Sequence, residues 1–211
     1  MDPLVAAEEV GHKFLKSIGT LVMDKTEDLW LEILETIRRS PRGIIGTHNH
    51  KYNLLHAFAD YRHDAAVEFL LSKGADVDAE DKEGKTILSK AIVRRDEDLS
   101  RRLVDAGASV RHKAADKTPL HIAAEVGSEK IVAMLLDRGA DVNDTRDDGD
   151  GYTPLHVAAG NGHENVVTLL LERGADSTIK SKFKYTPLTL AQRNGFHSIV
   201  KRLLPKRKWI F

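Results

Sequence analysis

The strongest constraint on this chain is a stretch of sequence that occurs twice. The segment beginning Thr118-Pro-Leu-His-Ile-Ala-Ala returns as Thr153-Pro-Leu-His-Val-Ala-Ala, and residues 118–143 and 153–178 are identical at 15 of 26 positions. Self-similarity of this length indicates a repeat architecture, in which each unit buries its apolar face against its neighbours. We therefore expect a stack of similar units rather than one central core.

The same pattern continues in weaker form along the chain. The aligned segments begin at Asn53, Thr86, Thr118, Thr153 and Thr186, at intervals of 33, 32, 35 and 33 residues. A Gly-Ala pair closes four of these units, at Gly74, Gly107, Gly139 and Gly174. A period close to 33 with a Thr-Pro-Leu-His-x-Ala signature resembles the ankyrin-repeat family, whose unit is a β-turn followed by two helices.

The resemblance implies an all-α repeat solenoid of helix-turn-helix units joined by β-hairpin or turn fingers. We expect about five units over residues 41–204. In this family the signature histidine is structural and bonds the backbone of the adjoining turn, which is the role implied for His121 and His156. The structural signature residues are Thr118, Pro119, Leu120, His121, Thr153, Pro154, Leu155 and His156.

The local chemistry of the two best copies agrees with this unit. A threonine hydroxyl can cap a helix, and a proline is tolerated at the first helical position, where its missing N–H has no partner to lose. Gly127 and Gly162 are placed to end the first helix in a left-handed turn. Apolar residues then recur at three-to-four spacing, which predicts a second helix with one buried face. These residues are Ile131, Val132, Leu135, Leu136, Val166, Val167, Leu170 and Leu171.

The two ends of the chain lack the signature. Apolar residues at helical spacing in residues 1–40 predict a helical N-terminal cap, because an end repeat must cover one apolar face. The alternative is an arm that binds a partner. Residues 205–211 form a basic and aromatic tail. Its Lys206-Arg207-Lys208 cluster is either read by nuclear import receptors or placed to offset the negative end of the last helix dipole.

Composition excludes several classes of function. The 32 basic and 32 acidic residues balance, which argues against a general polyanion-binding surface, and the absence of cysteine excludes disulfides and thiolate metal sites. The N-terminus lacks the basic start and apolar run of a secretory signal, and no uncharged run is long enough for a membrane span. No nucleophile elbow or glycine-rich phosphate loop is present. We expect a non-enzymatic protein without cofactor or metal, located in the cytoplasm, the nucleus or both.

Function is therefore expected on a surface. In the ankyrin family, the positions that the signature leaves free point toward the concave side of the solenoid. An apolar centre at Ile122, Val126 and Val157, flanked by charged and aromatic residues, has the organisation of a protein interface. The candidate partner-binding residues are Tyr61, Lys90, Arg94, Ile122, Glu125, Val126, Tyr152, Val157, Asn161 and Tyr185.

These residues predict a protein-protein interaction module that acts as an inhibitor, adaptor or scaffold. It would be monomeric when free and would bind a protein partner of unknown identity, with neither nucleic acid nor membrane as a partner. The alternatives are a protein resembling the NF-kappa-B inhibitors or a bacterial or viral effector, and more remotely an enzyme that uses residues 1–40.

The second repeat, which begins at Thr86, departs most from the signature. Ile87 replaces proline, Ser89 replaces histidine, and Arg94-Arg95 replaces the region of the helix-ending glycine. The inner helix is expected either to run on or to turn differently, with low local stability. Drift in a tolerant internal repeat and a basic contact with an acidic partner both account for this departure.

Overall fold

The computed structural model describes residues 54–204, except residues 61, 63, 73 and 82. The chain divides into two compact units, Met1–Lys82 and Glu83–Phe211. The predicted N-terminal cap at residues 1–40 and the predicted tail at 205–211 lie outside the described residues. Every regular element of the described residues is a helix, and none of these residues forms a strand. This is the pattern expected for an all-α repeat protein.

The first unit contributes one helix pair to the described residues. It consists of α1 (Leu54–Asp60) and α2 (Asp64–Ser72), which contact each other. Leu55 and Val67 are fully buried, and Phe58 and Leu70 are nearly so. This pair follows the expected order of a short inner helix and a longer outer helix.

The second unit contains four helix pairs of the same kind. Its inner helices are α3 (Ile87–Val93), α5 (Pro119–Val126), α7 (Pro154–Asn161) and α9 (Pro187–Arg193). Its outer helices are α4 (Glu97–Asp105), α6 (Glu129–Asp137), α8 (Glu164–Glu172) and α10 (His197–Leu203). Each inner helix contacts the outer helix that follows it and the inner helix of the next pair, while outer helices contact outer helices. The result is two layers of helices, which confirms the repeat prediction.

The inner helices begin where the threonines were expected to cap them. The side chain of Thr118 accepts a hydrogen bond from the backbone N–H of His121. Thr153 and Thr186 accept equivalent bonds from the N–H groups of His156 and Thr189. Proline occupies the first turn in these three helices. Thr86 caps α3 in the same way although no proline follows it. The hydroxyl cap therefore starts the helix, and the proline is dispensable for that purpose.

Left-handed residues end the inner helices. Gly127 has a φ of 73° and Gly162 a φ of 81°, and each donates its N–H to the carbonyl four residues earlier. In the second repeat Arg95 takes this conformation with a φ of 56°, and α3 ends at Val93. The inner helix of that repeat therefore does not run on, since a non-glycine residue adopts the same turn at some cost in backbone energy.

The core lies between the two layers of helices. Ile131, Val132 and Leu135 of α6 have at most 1% of their surface exposed, and the equivalent Val166, Val167 and Leu170 of α8 are equally buried. Burying such a side chain stabilises the fold by about 1.5–3 kcal/mol. The last residue of each predicted face, Leu136 or Leu171, is only half-buried.

Turns that we call fingers connect the repeats, at residues 112–118, 145–153 and 179–186. The first is closed by a bridge between Ala114 and Lys117. Single backbone hydrogen bonds then link consecutive fingers, from Asp147 N to Asp116 O at 3.1 Å and from Lys182 N to Asp150 O at 2.9 Å. Each finger makes too few backbone hydrogen bonds between its two arms to form a β-hairpin. The fingers are therefore turns, the second of the two expected forms.

Ion pairs link successive outer helices on the exposed side of the second unit. In every one of these pairs the acid belongs to the earlier repeat and the base to the later one. The pairs are Glu97–Lys130, Asp105–Arg138, Asp137–Arg173 and Glu164–Arg202. All eight side chains are substantially exposed, so solvent screens each pair and its contribution to stability is small.

Among the described residues, none of the helices combines the length and apolar character that crossing a membrane requires.

Candidate partner-binding surface

Two buried histidines, His121 on α5 and His156 on α7, each join their inner helix to the next finger. His121 Nδ1 lies 2.7 Å from the Thr118 hydroxyl, and its Nε2 lies 2.9 Å from the carbonyl oxygen of Tyr152. His156 repeats this arrangement one unit later, with Nε2 2.9 Å from the carbonyl oxygen of Tyr185. Both histidines thus bond the backbone of the adjoining turn.

The hydrogen-bond partners identify the protonation state of both rings. A carbonyl oxygen only accepts, so Nε2 carries the proton and Nδ1 is the acceptor. For His156 the backbone N–H of Thr153 donates to Nδ1 at 3.2 Å, which requires the same tautomer. Burial lowers the pKa of His121 from 6.5 to about 4, and burial likewise lowers the pKa of His156. Both rings are neutral at physiological pH, and both nitrogens of each ring are already engaged in hydrogen bonds.

The same position in the second repeat makes no such bridge. The hydroxyl of Ser89 donates to the carbonyl of Thr86 in its own turn, at 2.7 Å. In the next finger, the carbonyl of Lys117 accepts from the N–H of Ala114 instead. The second and third repeats are thus joined without the histidine bond that joins the later ones.

The tyrosines that receive these bonds also shape the surface. The ring of Tyr152 stacks on His156 with centroids 5.5 Å apart, and the guanidinium of Arg193 lies 4.8 Å from the ring centroid of Tyr185. Phe183 lies beside Tyr185 at 6.4 Å and is 59% exposed. Burial raises the pKa of the Tyr152 hydroxyl. Histidine bonds therefore fix the backbone of both tyrosines at the ends of their fingers, and both residues remain partly accessible.

Polar candidate residues lie at the ends of the inner helices. Glu125 is exposed and forms an ion pair with Lys117 at 2.7 Å. Asn161 is also exposed, and its Nδ2 lies 3.5 Å from the carbonyl oxygen of Glu125. Val126 is half-buried, and its carbonyl oxygen accepts a hydrogen bond from the guanidinium of Arg95. These side chains have accessible surface, and some also cap a neighbouring helix.

The apolar centre of the predicted surface needs correction. Ile122 and Val157 are each only 7% exposed. They pack within the stack of inner helices because the small alanines beside them allow those helices to approach closely. Neither side chain offers the accessible anchor that we expected, and only Val126 of the three apolar residues has appreciable surface.

The remaining candidates lie in the earlier repeats. Lys90 lies in the last turn of α3 and Arg94 lies just beyond its end. Both residues are half-buried. Tyr61 lies outside the described residues. Val93, between the two basic residues, is 59% exposed, which sequence reasoning did not anticipate.

Sequence reasoning also missed the basic character of the last finger. Lys180, Lys182 and Lys184 alternate along residues 179–186 and are all exposed. The signal was present as a Lys-x-Lys-x-Lys pattern around Phe183. A second missed contact is the packing of His163 and Phe196 against the glycines that end α5 and α7. No pattern within one repeat indicates that contact, because each residue belongs to the repeat after its glycine.

Metal chemistry finds no support within the described part of the chain, where no group of three His, Asp or Glu side chains is arranged to hold an ion.

This chain has the features of a helical repeat protein: paired short helices, histidine bridges at one-repeat spacing and inner helices that end at left-handed glycines. Comparison of the sequence with known families gives the same result. The family described as ankyrin repeats (3 copies) matches residues 36–114, 54–146, 112–181 and 143–209. The chain belongs to the ankyrin-repeat family.

Several curated proteins share part of this sequence. An ankyrin repeat and SOCS box protein 11 from Danio rerio is 38% identical over 95 residues, which is 45% of this chain and 32% of that protein. A putative ankyrin repeat protein of fowlpox virus is 34% identical over 105 residues, 50% of this chain and 74% of the viral protein. A transient receptor potential cation channel subfamily A member 1 homolog from Caenorhabditis elegans is 37% identical over 94 residues, 44% of this chain. The chain spans only 8% of the channel protein's length.

Proposed function

We propose that this protein binds a protein partner through the surface formed by its fingers and the ends of its inner helices, and that it acts without catalysis as an inhibitor, adaptor or scaffold. Ankyrin repeats imply a protein-interaction module. The finer role is our inference from the surface. The residues that carry it are Lys90, Arg94, Glu125, Val126, Tyr152, Asn161 and Tyr185.

The observation that carries the proposal is the fixed aromatic edge formed by Tyr152 and Tyr185. Backbone and histidine bonds hold both residues in place before any partner arrives. Rigid aromatic side chains next to an arginine are typical of the residues that contribute most to protein binding. A surface that is already ordered loses little conformational entropy when it binds.

The outer layer is the competing surface, and it offers less. Its exposed positions are mainly charged side chains that already pair with each other between repeats. Charged rims of this kind tune association rates more than affinity. The aromatic side of the repeats is therefore the favoured binding side.

Site-specific photo-crosslinking tests which layer meets the partner. A photoreactive amino acid would replace Asn161 on the inner helix α7 or, as the matched control, Asn165 on the outer helix α8. Both residues are exposed asparagines of one repeat. The proposal predicts crosslinked partner proteins from Asn161 and few from Asn165. Equal crosslinking from both positions, or crosslinking from Asn165 alone, would contradict it.

A further inference from the structure

The last finger, residues 179–186, concentrates charge and aromatic surface in one turn. Lys180, Lys182 and Lys184 are exposed, and the ring between them, Phe183, is one of the most exposed large apolar side chains of the described residues. At the equivalent tip positions of the two preceding fingers stand Ala115 and Asp150. Within the second unit, an aromatic finger tip is therefore a property of the last finger.

The cations of this finger are not neutralised within the described part of the chain. Lys113 pairs with Asp144 and Asp147, and Arg146 pairs with Asp148. By contrast, Lys180, Lys182, Lys184 and Arg193 take part in no ion pair with a described residue, and Arg193 instead covers the ring of Tyr185. Three exposed lysines thus alternate along the chain with Ser181, Phe183 and Tyr185, and Arg193 adds a fourth positive charge over the Tyr185 ring.

The backbone holds this arrangement rigidly. Ser181 is 5% exposed, and its hydroxyl accepts from the N–H of Tyr185 at 3.2 Å. The N–H of Ser181 donates to Tyr185 O, the N–H of Lys184 donates to Ser181 O, and the N–H of Lys182 donates to Asp150 O. Lys184 has a φ of 62°, a conformation that a lysine adopts only when its surroundings impose it. The side chains therefore project from an ordered turn.

From these observations we infer that the last finger and Arg193 form a docking site for a short acidic segment of a partner protein, one that carries an apolar or aromatic residue beside its carboxylates. The carboxylates would meet the lysines and Arg193, while the apolar residue would contact Phe183. This inference rests on the proposed function and names the chemistry of the partner.

The neighbouring finger favours an acidic protein segment over a nucleic acid. Asp147, Asp148 and Asp150 lie in that finger, and the Asp150 backbone is bonded directly to Lys182. A nucleic-acid strand carries a charge at every phosphate, so a strand that continued toward this finger would meet the carboxylate of Asp150, which pairs with no cation of the described residues. A peptide can confine its negative charges to the few residues that face the lysines.

The test uses the full chain and a display library of short random peptides. We expect the selected peptides to be enriched in Asp and Glu next to Phe, Trp, Leu or Tyr. Synthetic copies of them should bind Lys180→Glu and Lys182→Glu variants at least about tenfold more weakly and should lose affinity as salt is raised. The matched control is Lys201→Glu on α10, which changes the net charge equally at an exposed residue and should leave binding unchanged. Melting curves of all variants check folding.

Three outcomes of the peptide and oligonucleotide binding measurements would overturn the inference. The first is selection of peptides without acidic enrichment, or of no peptide. The second is equal loss of binding in Lys182→Glu and Lys201→Glu. The third is binding of a single-stranded oligothymidine probe, by fluorescence polarisation, without binding of acidic peptides. Partner crosslinking at Asn161 that survives Lys182→Glu would overturn this docking site while supporting the proposed function.

Discussion

The ring of His121 bonds to the carbonyl oxygen of Tyr152 at 2.9 Å, although 31 residues separate them. The bond runs from the inner helix of one repeat to the finger that introduces the next. It therefore links two repeats through a fully buried side chain, and burial makes this link sensitive to protonation. The first prediction follows from this relationship.

Folding stability should fall as the pH drops from 6.5 to 4. His121 has its ordinary pKa of 6.5 when unfolded and about 4 when folded, so the unfolded chain binds more protons between these values. The neutral ring contributes full stability above pH 6.5, and about 3 kcal/mol is lost as the pH falls toward 4. His156 acts in the same direction. Urea unfolding at several pH values in this range gives the free energy of unfolding as a function of pH. This free energy should fall less steeply with falling pH in His121→Gln than in the wild type, and an identical pH dependence would contradict the assignment.

Replacing Leu170 by alanine should lower the free energy of unfolding by about 2–5 kcal/mol, because the side chain is fully buried and a cavity remains. Leu171→Ala is the control, since the neighbouring leucine is only half-buried and should cost clearly less. Denaturant unfolding measures both. Equal losses would mean that the buried face of α8 is wrongly assigned.

Gly162→Ala should destabilise the protein more than Gly174→Ala. Both glycines have a positive φ, at 81° and 88°, so both variants carry the backbone cost of a left-handed alanine. A methyl group at position 162 would also lie 2.5 Å from the ring of Phe196, whereas position 174 is open. The difference in melting temperature isolates the steric term. That difference should shrink when Phe196→Ala is added, and a difference that persists unchanged would rule out the clash.

Ile122→Asp should destabilise the fold rather than act on binding alone. The residue is 7% exposed, and a carboxylate buried there would lose its hydration without a counter-charge. Val126→Asp, at a half-buried position of the same helix, is the control and should retain most of the stability. Thermal melting followed by circular dichroism separates the two. Equal melting temperatures for both variants and the wild type would show that Ile122 is accessible after all.

Backbone amides of residues 87–105 should exchange with deuterium faster than those of residues 119–137. Ser89 bonds within its own turn instead of bridging to the next finger, and Arg95 takes a left-handed conformation that favours glycine. Hydrogen exchange followed by mass spectrometry reports the two segments separately. Uniform protection across both would show that the second repeat is as stable as the third.

Much of the fold could be read from the sequence because its signals are local. Thr118 caps α5 by accepting a hydrogen bond from the N–H of His121, only three residues away. Gly127 ends the helix at the position that the repeat predicts. The face of α6 at Ile131 and Leu135 follows from helical spacing alone. Each of these signals depends only on residues within one turn of the chain.

The surface was harder to predict because it depends on contacts between repeats. Position within the signature placed Ile122 and Val157 on an open side, but the neighbouring helices cover them. Arg95 shows the reverse case, since tertiary contacts hold a non-glycine residue in a turn that its own propensity opposes. Burial between units and the partners of long side chains are not encoded in the spacing of one repeat.

The ion pairs between outer helices have a further consequence for how such an array can grow. From Glu97–Lys130 to Glu164–Arg202, each of the two middle repeats offers an acid to its successor and a base to its predecessor. A repeat with this polarity carries the acid that a following copy needs and the base that a preceding copy needs. Tandem duplication of one of these middle repeats would create one new junction, where an acid of the first copy would again face a base of the second.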